Sequence, residues 1–290
     1  MTLKKDVLIL YVLIGIEFGI LFDSKIVIEN IISTSKIFLF NIFPSIFPTM
    51  VIGNLLVKNN IEIIIPNTIK RLFNKLFGFT EYMTNIYIIS MITGSPSNAI
   101  YINEYLQSNK IDIDQAQRLL NTTHFINPLF VVGGIGITIF NDIKIGILLL
   151  LMTWFSNFIK SFIIRKKTLY QEKSIDIYDN TFVNTLTEAI KTSINALLLI
   201  FGIIILFNIL ISLVSNIFHL NYIFNMIISA LLEMTSGILK LKYLNISATT
   251  KFILSYLFLN FGGLCIHMQT FSMIKTKKIR YIKYLIFRII

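Results

Sequence analysis

Two stretches of this sequence place small polar residues, glycine and proline between apolar segments too short to cross a bilayer. The first is Thr93-Gly94-Ser95-Pro96-Ser97-Asn98, set between residues 81–92 and 99–107. The second is Thr235-Ser236-Gly237, which ends the apolar run 222–234 and has Glu233 beside it. Gly and Pro disfavour a continuing helix, so each stretch reads as two half-length helices meeting at a polar tip. Helix ends expose N–H and C=O groups and carry partial charge, so such tips can bind ions or polar solutes without charged side chains. The competing reading is a packing break, in which Gly and Ser permit close helix approach. Two tips in matching places favour binding.

A longer segment, interrupted in its middle, follows each tip. Asp112-Ile113-Asp114 opens a helix, with acids that suit the macrodipole. It runs into Asn121-Thr122-Thr123-His124-Phe125-Ile126-Asn127-Pro128 and resumes over 129–140. Residues 248–260 run into Phe261-Gly262-Gly263, and 264–273 complete the crossing with His267 and Gln269 inside. Asn121, Thr122, Asn127 and Asn260 could hydrogen-bond a polar ligand or a coupling ion, or could satisfy backbone freed beside Pro128 and Gly262. His124 and His267 could bind solute or titrate near neutral pH, or be held by neighbours. Glu233 and Glu17 are the acids deepest in apolar runs, and an ionisable group there is a functional candidate by default. Glu17 reads as interfacial or paired.

The elements that must hold these residues are transmembrane helices. Of the 290 residues, 55% are hydrophobic, 14% are charged and mean hydropathy is +0.75. A soluble domain carries about a quarter charged residues, so much of this surface must face lipid. The net charge of +11 lies in short segments between apolar runs, which points to membrane topology rather than nucleic acid. Spans of the required ~20 residues are read at 7–22, 37–57, 143–164 and 186–217. The first is read as a retained helix, because no small-residue cleavage site follows it. Cys265 is the single cysteine, which excludes an intrachain disulfide. The three histidines lack metal-ligand spacing, and no metal or cofactor is expected beyond Na+ or H+ as a coupling ion. No G-x4-G-K-[ST], H-E-x-x-H or G-x-S-x-G motif occurs, so no enzymatic activity is expected.

The two halves repeat the same order of parts. Gly94 and Gly237, Met91 and Met234, Thr93 and Ser236, and His124 and His267 stand 143 residues apart. Basic residues at 4–5, 58, 70–75, 165–167 and 275–283 put both termini in the cytoplasm by the positive-inside rule. Residues 66–77 then lie in the interface as an amphipathic helix. Lys240 and Lys242 fall outside and are the misfit. The expected fold is an all-α polytopic membrane protein with two inverted repeats, each holding a re-entrant hairpin and a broken transmembrane helix. Its parts are an N-terminal helix and loop (1–35), a first repeat (36–164), a basic and polar linker (165–185), a second repeat (186–274) and a basic C-terminal segment (275–290).

At Thr93 to Ala99, Asn127-Pro128-Leu129-Phe130, Glu233 to Gly237 and Phe261 to Gln269 the chain resembles the YlbJ-type sporulation integral membrane proteins. These carry a nucleoside recognition, or Gate, domain. The resemblance covers about 38–272, and its most specific part is Gly262-Gly263 followed by His267 and Gln269. It implies a multi-pass cell-membrane protein of spore formation, acting in cortex or envelope assembly. The expected function is secondary transport or binding of a small polar solute, with a non-transporting membrane scaffold as the alternative. No nucleic-acid partner is expected, and a homo-oligomer is left open.

Overall fold

A computed structural model describes residues 2–59, 65–167 and 181–289. The side chains of Lys4 and Lys5, and residues 168–180 of the expected linker, lie outside the described residues. The described residues form helices and connecting turns, without strands. Four of the helices are long and apolar enough to cross a membrane: Ser24–Lys58, Ile143–Ile163, Phe182–Ile217 and Ala248–Ser272.

Helix α1 (Thr2–Phe22) turns at Asp23 straight into α2 (Ser24–Ile37). The expected loop before residue 36 is therefore helical. Its Lys, Glu, Asn and Ser residues lower hydropathy, but it contains neither Gly nor Pro to stop a helix. A π-helical turn, Phe38–Ile42, joins α2 to α3 (Phe43–Lys58). It lies directly upstream of Pro44, whose ring would clash with the carbonyl four residues back in a regular helix.

Amphipathic α4 (Asn67–Phe77) ends at left-handed Gly78, whose missing Cβ lets the Lys166 carbonyl approach. Helix α5 (Glu81–Thr93), capped by Thr80, turns at Gly94-Ser95-Pro96 into α6 (Ser97–Gln107). Asp112 and Gln115 form a capping box for α7 (Ile113–Thr122). After a break, the chain resumes as a π-helical turn, Phe130–Ile137, and α8 (Thr138–Phe140). Helix α9 (Ile143–Ile163) then packs on that turn, with the Gly136 and Gly146 backbones in contact. The long α10 (Phe182–Ile217) leads to α11 (Tyr222–Leu232) and α12 (Met234–Lys240). Helix α13 (Ala248–Phe261) breaks at Gly262 before α14 (Gly263–Ser272), and α15 (Tyr281–Ile289) follows.

Polar contacts sort the connections into two ends. At one end Lys58 pairs with Glu188, Lys70 with Glu81, and Lys166 with Asp114. The Lys275 amide donates to Asn103 Oδ1 there, and the Arg280 amide to Gln117 Oε1. At the other end Asn216 donates to Asp23, and the Tyr222 hydroxyl to the Lys240 carbonyl. The α5–α6 pair begins and ends at the first end, and the α11–α12 pair at the second.

The second tip differs from its expected position. The break falls at Glu233 alone, with extended φ −130° and ψ 105°. Thr235, Ser236 and Gly237 lie inside α12, because the Glu233 carboxylate caps that helix and restarts it at once. Gly94 caps the C-terminus of α5 and Glu233 that of α11, whereas Gly237 lies within α12.

Candidate functional site

Both tips and both breaks meet in the interior. A cavity of about 40 Å³ is lined by Ser95 and Pro96 of the first tip and Glu233, Met234 and Thr235 of the second. The broken segments add Asn127, Phe130, Ile266 and Gln269. Ile42 and Ile46, with Ile200 and Ile204 of α10, close it from the side. A space of this size holds a few waters or one ion.

The first tip is built by its contact with the first break. Gly94 has φ +78°, and a Cβ there would lie 2.5 Å from the Asn127 amide nitrogen. The Ser95 amide donates to the Phe125 carbonyl at 2.6 Å, and the Ser95–Pro96 peptide is cis. Asn98 Nδ2 donates to both the Thr123 carbonyl and its hydroxyl. Asn127 is the joint of the assembly. Its Oδ1 accepts from the Leu129 and Phe130 amides, capping the resumed helix. Its Nδ2 donates to the Thr93 carbonyl of the tip and to the Ser45 carbonyl and Thr49 hydroxyl of α3. The Ser95 hydroxyl and Asn98 Oδ1 are buried without a hydrogen-bond partner among the described residues.

The second tip is built on a buried carboxylate. Glu233 accepts from the Thr235 amide at 3.0 Å and from the Ser236 amide at 2.7 Å. These are two of the donors that a helix start leaves free, so the negative charge lies where the helix dipole favours it. A Cβ on Gly237 would lie 2.2 Å from Ala230 Cα, so α11 and α12 touch backbone to backbone. Gly263, at φ +66°, admits the Met234 amide to the second break.

Both histidines serve the second break. A helix C-terminus leaves carbonyls without partners, and at the end of α13 two imidazoles take them. His124 Nε2 lies 3.2 Å from the Leu259 carbonyl oxygen, and His267 Nε2 lies 2.8 Å from that of Phe261. A carbonyl only accepts, so Nε2 carries the proton in each. The Tyr281 hydroxyl then donates to His267 Nδ1, at 3.1 Å. Gly262, at φ +83°, leaves room for the His124 ring, 2.6 Å from where its Cβ would stand.

Of the residues expected to bind solute, Ser95, Pro96, Asn127, Glu233, Thr235 and Gln269 line the cavity. Thr93, Gly94, Ser97 and Asn98 shape the first tip. Gly237, Gly262, Gly263, His124 and His267 hold the elements together. Asn260 bonds only its own helix, through the Tyr256 carbonyl. Asn121 lies under the C-terminal segment, where Arg288 donates to its carbonyl. Ser236 faces a second space.

That second space was not anticipated. A cavity of about 610 Å³ lies between α2, α10 and the α11–α12 pair. Its polar wall is Asn30, Ser33 and Thr34, Asn208, Ser212, Ser215 and Asn216, and Asn225, Ser236 and Lys240; Ile26, Ile37, Ile211, Leu239 and Tyr243 complete it. Lys240, the charge out of place by topology, bonds Asn225 and Ser229 inside the protein. The signal was present in α10, where Asn208, Ser212, Ser215 and Asn216 share one face of the otherwise apolar second half of the helix.

No family model matches the chain, and no solved structure matches it. Among curated proteins it is similar to the sporulation integral membrane protein YlbJ of Bacillus subtilis, at 23% identity over 288 residues that cover 86% of this chain and 71% of that one.

Proposed function

We propose that this chain is a multi-pass membrane carrier for a small polar solute, built from two inverted repeats. The α5–α6 and α11–α12 pairs act as re-entrant hairpins, and the segments broken near Thr123–Pro128 and at Gly262 as discontinuous spans. Both termini lie in the cytoplasm, together with the basic end of the bundle. One observation carries the reading: Ser95 of the first tip, Asn127 of the first break, Glu233 and Thr235 of the second tip and Gln269 of α14 line one interior cavity. Irregular backbone is tolerated at membrane depth only where it is buried in protein or lines a cavity. Carriers of this kind place their sites at such half-helix ends.

At about 40 Å³ the cavity has room for an ion or a few waters. Solute then enters when one repeat rocks against the other. Na+ or H+ is the coupling ion, with Glu233 as the acid placed to feel it. By likeness to the Bacillus protein, the setting is a spore-forming cell and the solute serves cortex or envelope formation.

A scaffold without transport is the second reading. It draws on the seven isoleucine and methionine neighbours at positions 42, 46, 126, 200, 204, 234 and 266 that wall most of the cavity. Uptake of a solute panel into proteoliposomes separates the two. The carrier reading expects uptake that Gln269→Leu abolishes in folded protein. Uptake of nothing by folded wild-type protein supports the scaffold.

A further inference from the structure

The 610 Å³ space continues the interior cavity toward one end of the bundle. A single face of α10 lines both: Ile200 and Ile204 face the inner cavity, and Asn208, Ser212, Ser215 and Asn216 face the outer one. At 1.5 Å per residue this face extends about 24 Å, most of the thickness of a bilayer core. The partition between the spaces is thin. Thr235 lines the inner cavity and its neighbour Ser236 the outer; Ile204 and Asn208 stand one turn apart. The Ser236 hydroxyl donates to Asn208 Oδ1 at 2.8 Å across that partition. At the far end Asn216 is exposed and bonds Asp23, in the turn between α1 and α2.

Four polar side chains on one face of a span are costly against lipid. Here they face Asn30, Ser33 and Thr34 of α2 across a space of the size that small-molecule sites occupy. Asn30 Nδ2 bonds Ser212 Oγ at 2.9 Å, and Asn225 bonds Ser215, so part of the wall is laced together. The volume left over suits water and a hydrated solute better than acyl chains. The opposite approach is covered. There the C-terminal segment is tied to Asn103 of α6, to Gln117 and Asn121 of α7 and, through Tyr281, to His267 of α14.

We infer that the space between α2, α10 and α11–α12 is the water-filled entry vestibule of the inner site, and that the Ser236–Asn208 hydrogen bond is its gate. This rests on the carrier reading. It also gives Glu233 a second role. Its carboxylate holds the Ser236 amide, so the acid of the inner site fixes the residue that closes the gate. Lys240 stands in the vestibule wall as its cation, fastened by Asn225 and Ser229.

Cysteine accessibility tests the inference. Cys265 is the chain's single cysteine, and Cys265→Ala gives a cysteine-free background. Single cysteines at Asn216, Ser212 and Gln269, and at lipid-facing Leu198, are probed in oriented vesicles. The probe is a charged, membrane-impermeant thiol reagent, applied from either side. Ser212→Cys should react from the Asp23 side within tenfold of the rate at Asn216→Cys, and Gln269→Cys at least 100-fold more slowly. Ser236→Ala, alone or with Asn208→Ala, should raise the Gln269→Cys rate from that side tenfold or more. Elution of each variant as a monodisperse protein excludes misfolding.

Two outcomes overturn the inference: Ser212→Cys as inert as Leu198→Cys, or a Gln269→Cys rate unmoved by both gate variants. Gln269→Cys reacting only from the opposite side overturns the vestibule while leaving the carrier reading intact. Gln269→Cys inert from both sides in every variant, with no solute taken up, removes the carrier reading itself.

Discussion

Replacing Glu233 with Gln should loosen the second tip while leaving the spans in place. The carboxylate makes two charge-assisted bonds to α12 amides, at 3.0 and 2.7 Å, in a site 2% exposed. A Gln amide has one oxygen, so one bond survives as a neutral one and the other N–H meets an NH2 group. Hydrogen bonds to charged groups contribute roughly 1.5–3 kcal/mol against about 1 for neutral ones, and an orphaned buried donor costs about 1–3. The expected loss is about 2–4 kcal/mol, or roughly 30- to 1000-fold in the local opening equilibrium. Cys265 reports it directly, being the single cysteine, buried, and near enough to Glu233 to feel its charge. In detergent-purified protein, maleimide labelling of Cys265 should accelerate at least 30-fold in Glu233→Gln. Glu233→Ala should be at least as fast, since it removes both bonds. Labelling of both variants within twofold of wild type would refute the capping argument, and with it the coupling of Glu233 to the gate.

The other expectations concern the joints. Gly262→Ala adds a Cβ 2.6 Å from the His124 ring; His124→Ala relieves that clash, so a double-mutant cycle on melting temperature should give a coupling of about 0.5–3 kcal/mol. Asn127→Asp keeps the acceptor that caps the Phe130 turn but loses the donor to Thr93, Ser45 and Thr49, so folding should survive with uptake lost, measured in proteoliposomes. Gly94→Ala should destabilise by at least about 1–3 kcal/mol, because its φ suits glycine alone and the Asn127 backbone cannot yield; an unchanged melting curve would contradict this. Lys58→Ala should change stability by less than about 1 kcal/mol, since its pair with Glu188 is exposed; a larger shift in the same melting assay would contradict that.

Composition and hydropathy by themselves pointed to a helical fold with membrane-crossing helices, because too few charges exist to cover a water-facing surface, and four helices of the structure are long and apolar enough to cross. The Gly, Pro and Asn punctuation at 94–98, 121–128 and 261–263 likewise located breaks locally, since each forbids or caps a helix whatever packs around it. Residues 23–35 misled because helicity there depends on the span they join, and polar residues lower hydropathy without stopping a helix. The turn at Glu233 was misplaced because a glycine four residues beyond the true break resembles a stop. In the fold that glycine is an approach point for Ala230.

Only the tertiary structure could separate cavity-lining residues from braces. His267 and Gln269 stand two positions apart on one helix, yet the first bonds the freed Phe261 carbonyl and the second lines the cavity. His267 meets a carbonyl six residues back across the turn at Gly262, whereas Gln269 faces Ser95 and Asn127, more than a hundred residues away in the sequence. The 610 Å³ space is the same kind of fact. Asn208 and Ser212 could be read as polar residues in a span, but the space they face exists only because α2 and the α11–α12 pair stand away from α10 there. Local patterning sets which residues can be polar at depth, whereas packing between distant elements sets what they face.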